Sequence, residues 1–405
     1  MSKTMKTDYD VIVVGAGPVG STAARYAVQH GAKVLMIEDH AFIGSPVGCT
    51  GLLSKRALEE CDVRPSENFV LNKVRGAFVH SMDGNCLPID GKETKAYVIS
   101  RKIFDRTLAS MALEAGVDLW MSTRAVGLEN AGDKQVLSVI RNGVSLQLET
   151  KVVIGADGVR SGIARMAGLG QVRKILPGIQ IEAPYRSADP SFVELFVGSQ
   201  APGFFGWAVP VSEEIARIGL AIDCENSQCA LDYLEKLLRN NNHVASRYSR
   251  GMLDFVVGGI PLGPLSKTYA EGTLIVGDAA GQVKPTSGGG IYTGAACAKI
   301  AGEVAASAAL ENDTSADRLA EYDQRWRAKL GRELAIGMKI HDFMGGLDDT
   351  EMNELLASMN KPSILETITA YGDMDHPSIV IKKMLNPASS RHILGVFMAF
   401  AKAVL

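Results

Sequence analysis

The chain of 405 residues carries 42 Lys plus Arg against 45 Asp plus Glu, a net charge of −3, so no broad positive field is available to hold nucleic acid. Its length allows two or three packed units able to enclose a cofactor, and its 42 glycines imply many tight turns or close backbone approaches. Six cysteines without a CxxC pair, and an N-terminus without an apolar signal core, predict a cytoplasmic protein with free thiols and no zinc, iron–sulfur or other metal site.

In chain order, Asp8 to Val14 reads as a buried strand, Pro18 to His30 as a helix opening just after glycines, and Lys33 to Glu38 as a second strand: one βαβ unit. Arg101 to Ala115 has helical apolar spacing, and Val152 to Gly155 is a short buried strand. Between Ile179 and Asp223 strand-length runs are broken by Pro, Gly, Ser and Asp, the pattern of an antiparallel sheet inserted into an α/β domain. Gly272 to Val276 is again a buried strand, followed by a Gly-rich loop and an apolar helix from about Gly290 to Ala309. Beyond Ser315 the chain reads as helical, punctuated at Gly345-Gly346, Pro362, Pro377 and Pro387. The C-terminal stretch Ile393 to Leu405 is too short to span a bilayer but apolar enough to lie on a membrane surface, to pack on its own protein or to line the pocket. The seven histidines form no ligand spacing, and surface or capping roles are expected of them.

Gly15-Ala16-Gly17-Pro18-Val19-Gly20 follows a strand and opens a helix, with Glu38 at the end of the next strand. This is the context a dinucleotide fingerprint requires: Gly15 for the turn, Gly17 for close approach of a pyrophosphate, Gly20 for helix–strand packing, and Glu38 for ribose hydroxyls. Two further segments, Ala156-Asp157-Gly158 and Gly277-Asp278-Ala279-Ala280-Gly281 with Pro285 to Gly290 behind it, resemble signatures of the FAD-dependent family. That family includes para-hydroxybenzoate hydroxylase, the class A flavin monooxygenases and the geranylgeranyl reductases. The resemblance covers about Tyr9 to about Gly302. It implies a discontinuous Rossmann-like FAD-binding domain of residues 1–80, 95–175 and 255–310. An inserted antiparallel β-sheet substrate domain would span 176–254 with part of 80–95, and a helical C-terminal region 311–405.

The cofactor contacts so implied are Gly15, Ala16, Gly17, Pro18, Gly20, Glu38 and Asp39 at the nucleotide end, with Arg101, Asp157 and Gly158. Asp278 would take a ribityl hydroxyl, and Gly288, Gly289, Gly290 and Ile291 would approach the flavin ring, joined there by Cys49 and Gly51. Two motifs resemble the geranylgeranyl reductase branch. One is the loop carrying Pro46, Val47, Cys49 and Gly51. The other is a Y-x-W-x-F-P motif matched at Trp207 and Pro210, with Phe205 and Val209 replacing its Tyr and Phe. The resemblance implies reduction of C=C bonds in the geranylgeranyl chains of lipids by reduced FAD, with Cys49 as the catalytic proton donor or relay. Phe205, Trp207 and Pro210 would grip the prenylated substrate. NAD(P)H or ferredoxin would supply electrons, with transient contact at a membrane surface. Two alternatives stay open: an FAD monooxygenase or halogenase of the same fold, and an electron-carrying or redox-sensing flavoprotein in which Cys49 pairs with Cys61 or Cys86.

Overall fold

Val11–Val14 buries all four of its side chains, as a strand covered on both faces must. It lies at the centre of a mostly parallel sheet, flanked by Val34–Ile37 on one side and Val152–Gly155 on the other. Thr273–Ile275 and Asp118–Trp120 extend it in parallel, and Tyr269–Ala270 closes one edge antiparallel. The computed structural model describes residues 3–5, 8–223 and 229–384, so Cys224 and the stretch Ile393 to Leu405 lie outside it.

Two helices cover one face of this sheet. The Ile291–Glu311 helix is apolar nearly all round and buries sixteen of its 21 residues, because the sheet lies on one side and other helices on the other. It touches the Pro18–Gln29 helix through small residues: a Cβ on Gly302 would stand 2.4 Å from the Ala23 carbonyl oxygen. Behind it Tyr322 and Trp326, both fully buried, satisfy their polar ends on the Ile275 carbonyl (2.9 Å) and the Thr268 hydroxyl (2.9 Å).

The second large sheet runs in the order Asp254–Leu262, Lys174–Pro184, Ile215–Ala221, Gly206–Pro210, Phe192–Phe196, Gly76–His80, Cys86–Asp90. All its neighbours are antiparallel except Phe192–Phe196 and Gly76–His80. A third sheet pairs Leu52–Ser54 and Val70–Val74 with Ala96–Ile99. The hairpin strands Thr123–Asn130, Gln135–Arg141 and Val144–Thr150 form most of a fourth. Asn142 and Gly143 make the tight turn of the second hairpin, both at positive φ (49° and 81°). Beyond Ser315, helices start at Ala316, Arg332, Asp349, Pro362 and Pro377. Those starting at Asp349 and Pro362 pack on the Cys86–Asp90 strand through Ile89, Leu356 and Ile368, and the segment from Ile368 to Val380 roofs the groove between the two large sheets.

The expectation of surface or capping histidines fails at two positions. His80 and His341 are each 5 % exposed. His80 stacks on Phe196 and lies 3.3 Å from Glu194, a residue that also accepts from Arg247 (2.7 and 2.9 Å) and from the Tyr185 hydroxyl (3.0 Å). The buried carboxylate accounts for the inward histidine, which faces it across neighbouring strands.

Candidate active site

The turn after Val14 is built around Gly15, whose φ of +105° and closeness to Ala156, 2.4 Å from a Cβ to its carbonyl oxygen, admit no side chain. A Cβ on Gly17, by contrast, would meet nothing within 4 Å, so the start of the Pro18–Gln29 helix is open to a ligand. Ala16 donates its backbone N–H to Glu38 (2.8 Å), whose other oxygen accepts from the His40 backbone (3.0 Å), with Asp39 exposed beside it.

From this opening a cavity of about 990 Å³ runs between the two large sheets. Among the expected site residues it is lined by Gly17, Pro18, Gly20, Cys49, Gly51, Arg101, Gly158, Asp278, Gly288 to Gly290, Ile291, Phe205 and Trp207. Gly15, Ala16, Glu38, Asp39, Asp157 and Pro210 stand outside that lining. Asp157 is placed differently from its expected role. Its carboxylate accepts from the Ser161 hydroxyl (2.6 Å) and the N–H groups of Gly162 (2.7 Å) and Ile163 (3.0 Å), so it caps the Gly162–Met166 helix instead of facing a ligand. The Pro210 carbonyl accepts from Asn72 (2.9 Å).

Asp278 points into the cavity without a hydrogen-bond partner among the described residues. Burial pushes its carboxyl above the usual range, and the Arg101 charge opposes that shift. An acceptor so placed suits sugar or ribityl hydroxyls, which donate without adding charge. Arg101 is not the solvent-facing residue that a helix start often carries. It forms a two-point ion pair with Asp105 (2.8 and 2.9 Å) and lies against the Cys49 thiol. Burial works against its charge, yet Asp105 and Cys49 outweigh burial and hold the guanidinium firmly protonated.

Cys49 Sγ also accepts from the Gly51 N–H (3.3 Å). Two residues that sequence reading passed over hold this loop in place. Arg217 donates to the carbonyls of Thr50 (2.6 Å) and Ile99 (3.0 Å) and pairs with Glu182 (2.9 Å). Gln180 accepts at one oxygen from both the Thr50 hydroxyl (2.7 Å) and Trp207 Nε1 (2.9 Å), tying the cysteine loop to the tryptophan. Phe204 stacks on Phe205 (4.2 Å), which meets Trp207 edge-on (6.1 Å), so one wall of the chamber is aromatic. On the other side the Gly372–His376 turn closes in. Lys284 pairs with Asp375 (2.6 Å) and Arg56 lies 2.9 Å from Asp373. No local sequence signal marked these pairs, since their members are separated by 91 and by more than 300 positions. Cys49, Cys61, Cys86, Cys229 and Cys297 are all free, and among the described residues no group of acidic, His or Cys side chains is placed to hold a metal.

A family model described as FAD dependent oxidoreductase matches residues 10–170. The digeranylgeranylglycerophospholipid reductase of Methanocaldococcus jannaschii is 38% identical over 360 residues, 87% of this chain and 91% of that protein. The chain belongs to the digeranylgeranylglycerophospholipid reductase family. In structure it is similar to a geranylgeranyl bacteriochlorophyll reductase-like protein of Thermoplasma acidophilum, with a TM-score of 0.87, 27% identity and complete coverage of both chains. The flavin-dependent halogenase CmlS (TM-score 0.69, 19% identity, 92% of this chain and 74% of that one) shares the fold alone. The family member described here is an FAD-dependent oxidoreductase, and its residues fit that cofactor: an open helix start at Gly17, an unpartnered carboxylate at Asp278, and a Gly288–Gly290 backbone bare of side chains.

Proposed function

We propose that this reductase saturates the isolated C=C bonds of geranylgeranyl chains carried on a glycerophospholipid. The observation that carries the reading is the position of Cys49. Its thiol opens into the same cavity as the Gly288–Gly290 backbone, with Arg101 against it and the Phe205–Trp207 wall lining the same chamber. Reduced FAD supplies the hydride; what the protein must add is a proton at the neighbouring carbon, because an unpolarised alkene accepts neither alone. Cys49 holds that proton. Arg101 stabilises the thiolate left behind, and the Gly51 N–H directed at Sγ does the same.

Phe205, in place of a tyrosine, brings no hydroxyl to the chamber, so the aromatic wall grips the chain and excludes water while the proton comes from the thiol. In this reading Gly15, Ala16, Gly17 and Glu38 hold the nucleotide end of FAD, and Asp278 takes a ribityl hydroxyl. The seven-stranded sheet forms the substrate chamber. Electrons arrive from NAD(P)H or a ferredoxin, and the enzyme collects its lipid at a membrane surface. No helix among the described residues is long and apolar enough to cross a membrane.

The test is anaerobic. With dithionite-reduced holoenzyme and a geranylgeranylated phospholipid in detergent, flavin reoxidation should accompany mass gains of two hydrogens per step. A Cys49→Ala variant should keep its FAD and lose single-turnover rate by about a hundred-fold or more, the usual worth of a positioned proton donor. A full rate in that variant removes Cys49 from the chemistry. A flavin that stays reduced until air enters removes the reductase reading.

A further inference from the structure

The cavity has two chemically different ends. The inner chamber is apolar, walled by Val193, Leu195, Val209, Phe205 and Trp207. At the other end, where the Leu52–Ser54 and Ala96–Ile99 strands meet the Gly372–His376 turn, the lining carries Lys55, Arg56, Arg75 and Lys95 against Glu59 and Asp373, beside the mutually paired Lys284 and Asp375.

These cations are not equally committed. Arg75 is fully used by Asp90 (3.0 Å), Asp189 (3.3 Å) and the Ser191 hydroxyl (3.1 Å). Among the described residues Lys95 pairs only with Glu93 (3.1 Å), whose side chain is 67% exposed, a pairing that water and salt readily replace. Lys55 has no ion pair or side-chain hydrogen bond at contact distance among the described residues and reaches Glu93 only through its longer-range field. The Lys55 N–H donates to the Lys95 carbonyl (3.3 Å), which sets the two lysines side by side. Arg56 pairs with Asp373 through Nη1 (2.9 Å), and its side chain, 39% exposed, makes no other ion pair or hydrogen bond among the described residues.

An apolar chamber with cations at one end suits a molecule that is apolar in body and anionic at its tip. We propose that Lys55, Arg56 and Lys95 form the seat for the phosphate of the lipid substrate. The proposal rests on the lipid-reduction reading above and adds to it the residues that recognise the head. Prenyl chains gain little on leaving a bilayer for a protein pocket, because they are dry in both, so discrimination falls to the polar end. A fixed head also sets the register, deciding which double bond stands beside Cys49.

The experiment uses dithionite-reduced holoenzyme without nicotinamide, so that the only phosphate offered is the lipid's. A geranylgeranylated glycerophospholipid and geranylgeraniol are compared in the same detergent, for the wild type, a Lys55→Ala/Lys95→Ala double variant and a Lys55→Arg/Lys95→Arg control. The alanine variant should raise KM for the phospholipid about ten-fold or more, the worth of one charge-assisted hydrogen bond. Its KM for geranylgeraniol should move less than about two-fold, and the arginine control should recover the phospholipid KM. Equal shifts for both substrates, or none for the phospholipid, overturn the proposal. Equilibrium dialysis of phytanyl phosphate and phytanol, which cannot be reduced, separates the seat from the reaction. Phosphate-selective binding lost in the alanine variant supports the seat even where turnover fails, whereas equal binding of the two ligands overturns it. Competition by millimolar inorganic phosphate against phytanyl phosphate, with phytanol retained equally by both proteins, assigns the seat to a soluble phosphate and overturns the lipid assignment.

Discussion

At the scale of single residues, the cysteines divide by environment. Burial pushes the Cys61 thiol up to about 12, and Cys297 is likewise raised by burial, so neither offers thiolate near neutral pH. Cys49 lines the cavity and Cys229 is exposed. Iodoacetamide at pH 8 should therefore label Cys49 and Cys229 in the apoprotein and spare Cys61 and Cys297, and FAD with a prenyl lipid should protect Cys49; peptide mass mapping reads this directly. Labelling of Cys61 ahead of Cys49 contradicts the assignment. Residue identity alone pointed to Cys49 through its loop, but the partners that orient it, Gln180 and Arg217, sit 131 and 168 positions away and join the loop only through strand pairing.

At the scale of elements, the Glu194 network ties two strands to the segments that carry Tyr185 and Arg247. Burial disfavours the Glu194 charge, but His80, Arg247 and Tyr185 outweigh it and hold the carboxyl below its ordinary range. A carboxyl depressed in the folded state contributes stability above its unfolded value of roughly 4.3, and that contribution is lost as pH falls through the folded value. Glu194→Gln should cost about 3 kcal/mol at pH 7 by stranding buried partners. In urea denaturation the gap to the wild type should stay constant from about pH 6 to 8 and shrink below about pH 4. A gap that widens on acidification would mean the carboxylate is not the stabilised form. The hairpin closed at Asn142-Gly143 is legible from that dipeptide alone. The Asp157 cap was not legible, since an Asp before a helix reads alike as a ligand to cofactor or to backbone.

At the scale of the whole molecule, the helical C-terminal region and the FAD-binding part meet at the Lys284–Asp375 pair, 9% and 3% exposed. Truncating one partner strands a buried charge, and replacing both by apolar residues does not. Asp375→Ala should therefore lose about 3–5 kcal/mol in denaturant unfolding. Lys284→Met/Asp375→Leu should recover most of that loss, and the reduced flavin of Asp375→Ala should reoxidise faster in air as the roof loosens. Equal stability of the single variant and the wild type would show that the pair does not hold the roof.

By itself the sequence determined the α/β class, the nucleotide turn, the inserted sheet and the cysteine loop. Each of these is written in short-range patterns: four apolar residues in a row, a glycine where the backbone bends, a helix opening at its heels. Only the tertiary structure decided that Asp157 serves a helix, that Gln180 and Arg217 position Cys49, that His80 and His341 face inward, and that cations gather at one end of an apolar chamber. Those outcomes depend on which side chains meet after strands more than a hundred positions apart have paired. Local periodicity cannot encode that choice, because burial and charge compensation are properties of the assembled core.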